Sequence, residues 1–175
     1  MSDKIFAGII ILLVGGTIGV AAVAQQNRPN NASRPGVEQA DKGSKHVEAT
    51  AVKEGAPEPP VSGSHAVQPV PWQNYNQEIP DANSIHNLEH GGVYVSYRPD
   101  LPADQIAAIK SLFFQPYSRG DFKPVKAIAA PRQANSAPII MSSWNRNMKL
   151  DTFDMAKMIE YYNRNVGKSP EAGAS

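Results

Sequence analysis

His86, Glu89 and His90 fall within one five-residue stretch, and Gly91-Gly92 follow directly. Imidazole and carboxylate are the side chains that combine proton transfer near neutrality with metal ligation. On a helical turn His86 and His90 would share a face at four-residue spacing. His65 lies upstream behind Ser62-Gly63-Ser64, a turn composition able to bring a third imidazole to the same place. Glu89, or Met141 further along the chain, would supply a fourth donor. Three imidazoles with a thioether suit copper; three with a carboxylate or water suit zinc. The chain has no cysteine, which excludes thiolate metal sites, disulfides and thiol catalysis.

Two other chemistries compete with a bound ion. His86-x-x-Glu89-His90 matches the inverted zinc-peptidase arrangement, in which two histidines hold zinc and the glutamate activates water; Glu160 would be a nominal third ligand. That arrangement belongs inside a long helix, whereas the Gly-Gly pair and the alternating segment after it leave about one turn. A metal-free His/Glu acid–base pair is the remaining enzymatic reading. The structural alternative is hydrogen bonding alone. Buried polar side chains need partners, and His65 would then pin irregular backbone to the 86–90 turn in a non-catalytic interaction module. The fourth histidine, His46, sits in a polar stretch and reads as a solvated side chain.

The elements that must carry these residues follow from the patterning. Residues 5–24 are apolar apart from Thr17. At about 1.5 Å per residue they would span roughly 30 Å, the thickness of a bilayer's hydrocarbon core. Residues 1–24 therefore read as a transmembrane anchor, or as a signal segment cut after Ala22-Val23-Ala24. The expected location is the cytoplasmic membrane, single-pass through residues 5–24, with the C-terminal domain outside the cytoplasm. Residues 25–56 are polar and Pro/Gly-rich, without an aromatic side chain, and read as a disordered tether. Net charge is +1 with both signs interspersed, so nothing suggests a nucleic-acid partner.

Residues 57–167 read as one globular α+β domain. Val93, Val95 and Tyr97 alternate with polar or amphipathic neighbours, a strand signal. Ile106, Ile109, Leu112 and Phe113 mark one helix face, opened by Asp100 and Pro102. Residues 125–130 and 138–144 read as two further strands. Phe153, Met155, Met158, Ile159 and Tyr162 form a second amphipathic helix after a capping-box-like start at Asp151. The expected architecture is a small β-α-β-β-α domain: a three-stranded sheet, two helices on one face, and a long irregular N-terminal wrap over residues 57–91. Trp72 and Tyr75 are expected to cap the core edge, and residues 168–175 to form a disordered tail.

Four short motifs, read together, carry a resemblance. Pro59-Pro60-x-Ser62-Gly63-x-His65, His86-Asn87-Leu88-Glu89-His90-Gly91, a strand ending in Tyr97-x-Pro99, and Pro138-Ile139 leading to Trp144 resemble the bacterial family known as domain of unknown function 3105. The resemblance covers residues 57–165. It implies a single N-terminal span, frequent among such proteins, and implies no activity. Met141-Ser142-Ser143 departs from the alanine-containing approach to the tryptophan in that family, so the resemblance carries no role for Met141.

Overall fold

The structure, a computed structural model, describes residues 33–114 and 125–174. The apolar stretch 5–24, expected as an anchor, lies outside the described residues. Among the described residues no helix is long and apolar enough to cross a membrane. The described elements all belong to one compact unit, Pro35–Ser175.

Its elements run β1 (Val37–Glu38), one turn of 3-10 helix (Ala49–Ala51), α1 (Asp81–Glu89), β2 (Val93–Tyr97), α2 (Ala103–Phe114), β3 (Ala127–Pro131), β4 (Ile139–Ser143), β5 (Arg146–Leu150) and α3 (Met155–Asn165). The five strands form one sheet in the order β1-β5-β4-β2-β3. β2 and β3 are parallel, joined across α2, and the other pairings are antiparallel. The class is thus α+β as expected, but the described residues form five strands rather than three and three α-helices rather than two.

Each difference has a local cause. β5 follows β4 after only Trp144 and Asn145, with Asn145 at a positive φ of 58°. So short a hairpin turn leaves Arg146 and Asn147 already in the ladder, where their polarity suggests a turn. β1 pairs with β5 through Val37↔Asn147 and Glu38↔Arg146, although its side chains are exposed. Backbone pairing of this kind needs no apolar side chain, so composition alone hides it. Residues 35–56 therefore lie within the folded unit, upstream of the boundary expected at residue 57.

Side-chain alternation along β2 feeds two cores. Val93, Val95 and Tyr97 pack with Ile139 and Met141 beneath Ile109, Leu112 and Phe113 of α2 and Met158, Tyr161 and Tyr162 of α3. Tyr94 points the other way, with Ile128 and Ala130 of β3, into a second core shared with Val61, Ile85, Leu88 and Trp144. The two amphipathic helices thus share one face, as their patterning indicates. The opposite face is covered by α1 and the irregular chain before it. Trp72 and Tyr75 pack at the edge of that second core.

α1 follows the extended Pro80, which cannot donate a backbone hydrogen bond. Its first amides are satisfied from a distance: Asp81 N and Ala82 N donate to the Glu54 carboxylate at 2.6 and 3.1 Å. Arg132 Nη2 and Nε donate to Asp81 Oδ2 and Oδ1 at 2.7 and 3.0 Å, and both side chains are buried. Removing one partner of such a buried pair costs about 3–5 kcal/mol. Asn87 Oδ1 accepts from Val70 N at 2.9 Å while its Nδ2 donates to Val70 O at 2.8 Å, tying the wrap to the last turn of α1. Gly91, at φ +85°, ends the helix in the left-handed conformation that side chains disfavour.

Candidate metal centre

The 86–90 segment is the end of a nine-residue helix, not the isolated polar turn its Gly-Gly exit suggests. Eight of those nine residues are buried, so the helix shows no polar face from which periodicity could reveal it. His86 and His90 consequently stand one turn apart. His86 Nε2 lies 2.9 Å from His90 Nε2.

His65 arrives on the wrap and is fully buried. Its Nδ1 is 2.8 Å from the carbonyl oxygen of Gly63. A carbonyl only accepts, so that nitrogen carries the proton and donates it, which leaves Nε2 as the ligand atom. His86 repeats the device: its Nδ1 donates to the Ala66 carbonyl at 2.8 Å, which leaves Nε2 with the lone pair. A backbone acceptor behind the ring is the arrangement that orients and activates metal-ligating histidines. Ala66 N in turn donates to Ala82 O at 2.9 Å, so the carbonyl that holds His86 sits on backbone anchored to α1 itself.

Glu89 Oε2 lies 2.9 Å from His65 Nε2. With the His65 Nδ1 proton already committed, this contact needs either a proton between the two atoms or a metal ion. Burial alone would raise the Glu89 carboxyl; the Ser44 hydroxyl and the His65 and His46 rings outweigh it and hold the group below its ordinary value. Burial also pushes the His86 imidazole down, partly opposed by the Ala66 carbonyl and reinforced by His90, His65 and His46. Each shift favours the unprotonated form that a metal requires.

The fourth partner is a residue whose surroundings in the sequence conceal it. His46, expected to be solvated, pairs through its backbone with His65 as a parallel bridge. Val47 N donates to His65 O at 2.8 Å and His65 N to Lys45 O at 3.0 Å. The His46 ring stacks on His86 with centroids 5.0 Å apart and planes 8° from parallel, and its Nε2 is 3.5 Å from Glu89 Oε2. His46, His65, His86 and Glu89 each offer one ligand atom, all within 4.8 Å of one another, and such a group could hold a metal ion. Donors about 2.0–2.1 Å from a shared ion stand roughly 2.9–3.4 Å apart. The closest contacts here already have that spacing, and the wider ones would have to close onto the ion. The His46 side chain is 42% exposed and marks the open side of the cluster.

Of the residues singled out from sequence, His65, His86 and Glu89 come together and His90 stands beside His86. Met141 does not join them. It pairs with Val95 and lies in the core beneath α2 and α3, on the sheet face opposite α1. Strand alternation decides this, since its neighbours Ile140 and Ser142 point to the other face. Glu160 is exposed on α3 and stands outside the cluster. The tail expected after residue 167 instead folds back on the helix end: Gly167 N donates to Gly91 O at 2.8 Å, and Glu171 N and Ser169 Oγ donate to Glu89 O at 3.1 and 2.6 Å.

Fold and site together define a small α+β domain with a histidine–glutamate cluster at the end of a buried helix. The chain belongs to the family described as protein of unknown function (DUF3105), which matches residues 46–175. That match begins at His46 and includes every member of the cluster, as well as His90 and Glu171. No curated protein and no solved structure matches the chain.

Proposed function

We propose that this protein is a membrane-anchored metal-binding domain, carried outside the bacterial cytoplasm, that holds one divalent transition-metal ion through His46, His65, His86 and Glu89. The observation that carries the reading is the paired orientation of His65 and His86. Both rings give their Nδ1 protons to backbone carbonyls, which leaves Nε2 as the donor each histidine can offer to the group of four. Three imidazoles and one carboxylate, with no sulfur donor, favour zinc(II) or copper(II) over copper(I). The placement of Met141 in the opposite core supports the same preference. Residues 5–24 supply the anchor in this reading, on hydropathy alone.

The test is titration of the purified full chain, in mild detergent, with zinc(II) and copper(II). Binding tighter than about micromolar is expected. His46→Ala, at the exposed edge of the cluster, should weaken it without unfolding the domain. Failure of either ion to bind at that level would sink the proposal.

One observation favours a second reading, in which the histidines only hold irregular backbone. The carbonyls that accept from His65 and His86 belong to Gly63 and Ala66, so these rings also fasten the wrap. In that case no ion binds, and His86→Ala lowers the apo thermal midpoint.

A further inference from the structure

We infer that His90 and Glu171 form a second, outer metal position that shares His86 with the inner cluster and passes ions to and from it. This inference rests on the metal-binding reading above.

His86 makes the connection. Its Nδ1 is committed to the Ala66 carbonyl, so it offers a single lone pair, at Nε2. His86 belongs to the donor group formed with His46, His65 and Glu89, and Nε2 is the nitrogen it has left to offer there. That atom also lies 2.9 Å from His90 Nε2, which donates a hydrogen bond to it without metal; once the His90 proton sits on Nδ1, the same spacing suits two ligands on one ion. His90 Nε2 is in turn 3.7 Å from Glu171 Oε2. Imidazole, imidazole and carboxylate thus run outward from the buried cluster: the His90 side chain is 11% exposed and Glu171 is 52% exposed.

With one lone pair, His86 ligates one ion at a time. An ion on His90 and Glu171 can take His86 as its next ligand and then exchange the outer pair for the inner donors. At no point is it stripped to a bare ion, and so the barrier to transfer is low in both directions. The outer position is built for passage rather than residence. The Lys126 ammonium donates to the carbonyls of His90 and Ala172, both at 3.0 Å, and places a positive charge beside it. Glu171 is not on a loose tail. Its own amide is fixed to Glu89 O, the residue whose side chain belongs to the inner cluster.

Stopped-flow exchange of zinc(II) between a chromophoric chelator and the full chain tests this, using Glu171→Gln and His90→Gln. Glu171→Gln removes only an outward carboxylate and leaves the backbone contact, so the fold is kept even if His90→Gln perturbs it. Uptake and release should both slow by about tenfold or more, with the dissociation constant changed by less than about threefold. If the wild type binds zinc but the variants exchange at its rates, ions enter past His46 and the outer position is refuted while the metal site stands. If release quickens and affinity drops together, His90 is a ligand of the inner ion, which also overturns the inference. A wild type that takes up no zinc removes the metal reading and this one with it.

Discussion

Glu89 Oε2 and His65 Nε2 stand 2.9 Å apart, both almost fully buried, at a contact 24 residues apart in sequence. The histidine's other nitrogen is tied to a carbonyl, so the pair is held together by whatever positive charge lies between them. A glutamine at position 89 separates the two explanations of that charge. Its amide can donate to the neutral Nε2, which preserves the contact, but it cannot serve as an anionic ligand. Glu89→Gln is therefore expected to change the apo thermal midpoint little while weakening zinc affinity by at least about tenfold. Unchanged affinity, measured by chelator competition, would remove Glu89 from the ligand set.

The shifts of Glu89 and His86 give the domain a direction of pH response. Both groups titrate below their ordinary values of 4.5 and 6.5 when folded. Each binds its proton less tightly folded than unfolded, so the unfolded chain gains protons first on acidification. The stability His86 contributes is complete above 6.5 and lost as pH falls through its lower folded value; that of Glu89 is complete above 4.5 and lost further down. Metal binding adds a term of the same sign, because protons compete for the imidazoles. The thermal midpoint without metal is expected to fall on going from about pH 7.5 to 5.5, and the increment added by zinc to shrink. Scans with zinc and with a chelator at each pH check both; a zinc increment that grows on acidification contradicts the ligand set.

The parts of this fold that sequence exposes are those where side chains alone decide. α2 and α3 bury one face and expose the other, and β2 alternates, so periodicity reveals them. α1 defeats the same reasoning because it is buried nearly all round while being rich in polar residues. Several of those residues are satisfied by partners far away in sequence: Asp81 by Arg132, Asn87 by Val70, His86 by Ala66. His46 escapes for a related reason. Its segment is polar and short of apolar side chains, and what holds it is a backbone bridge to His65, invisible to composition. The donor triad of His65, His86 and Glu89 is legible because its members lie in compact motifs beside glycines, whereas the exclusion of Met141 depends on the register of β4.

Gly92 links the packing of the wrap to the site. A Cβ there would meet the Trp72 ring at 2.3 and 2.4 Å and the Asn87 carbonyl oxygen at 2.9 Å. The carbonyl cannot retreat, because it accepts from Gly92 N at 2.9 Å and belongs to the last turn of α1. The indole must therefore leave its seat against the chain. Gly92→Ala is expected to destabilise the domain by about 1–3 kcal/mol, the usual cost of overpacking. Denaturant unfolding gives the magnitude. Trp72 is only partly buried whereas Trp144 is buried, so fluorescence of the native variant should report a more solvated indole. A Trp72→Ala partner substitution makes room for the new methyl group. The double variant should then lose less stability than the sum of the two single changes, a coupling expected only where residues touch. Strict additivity would show that the glycine is required by something other than the indole stacked on it.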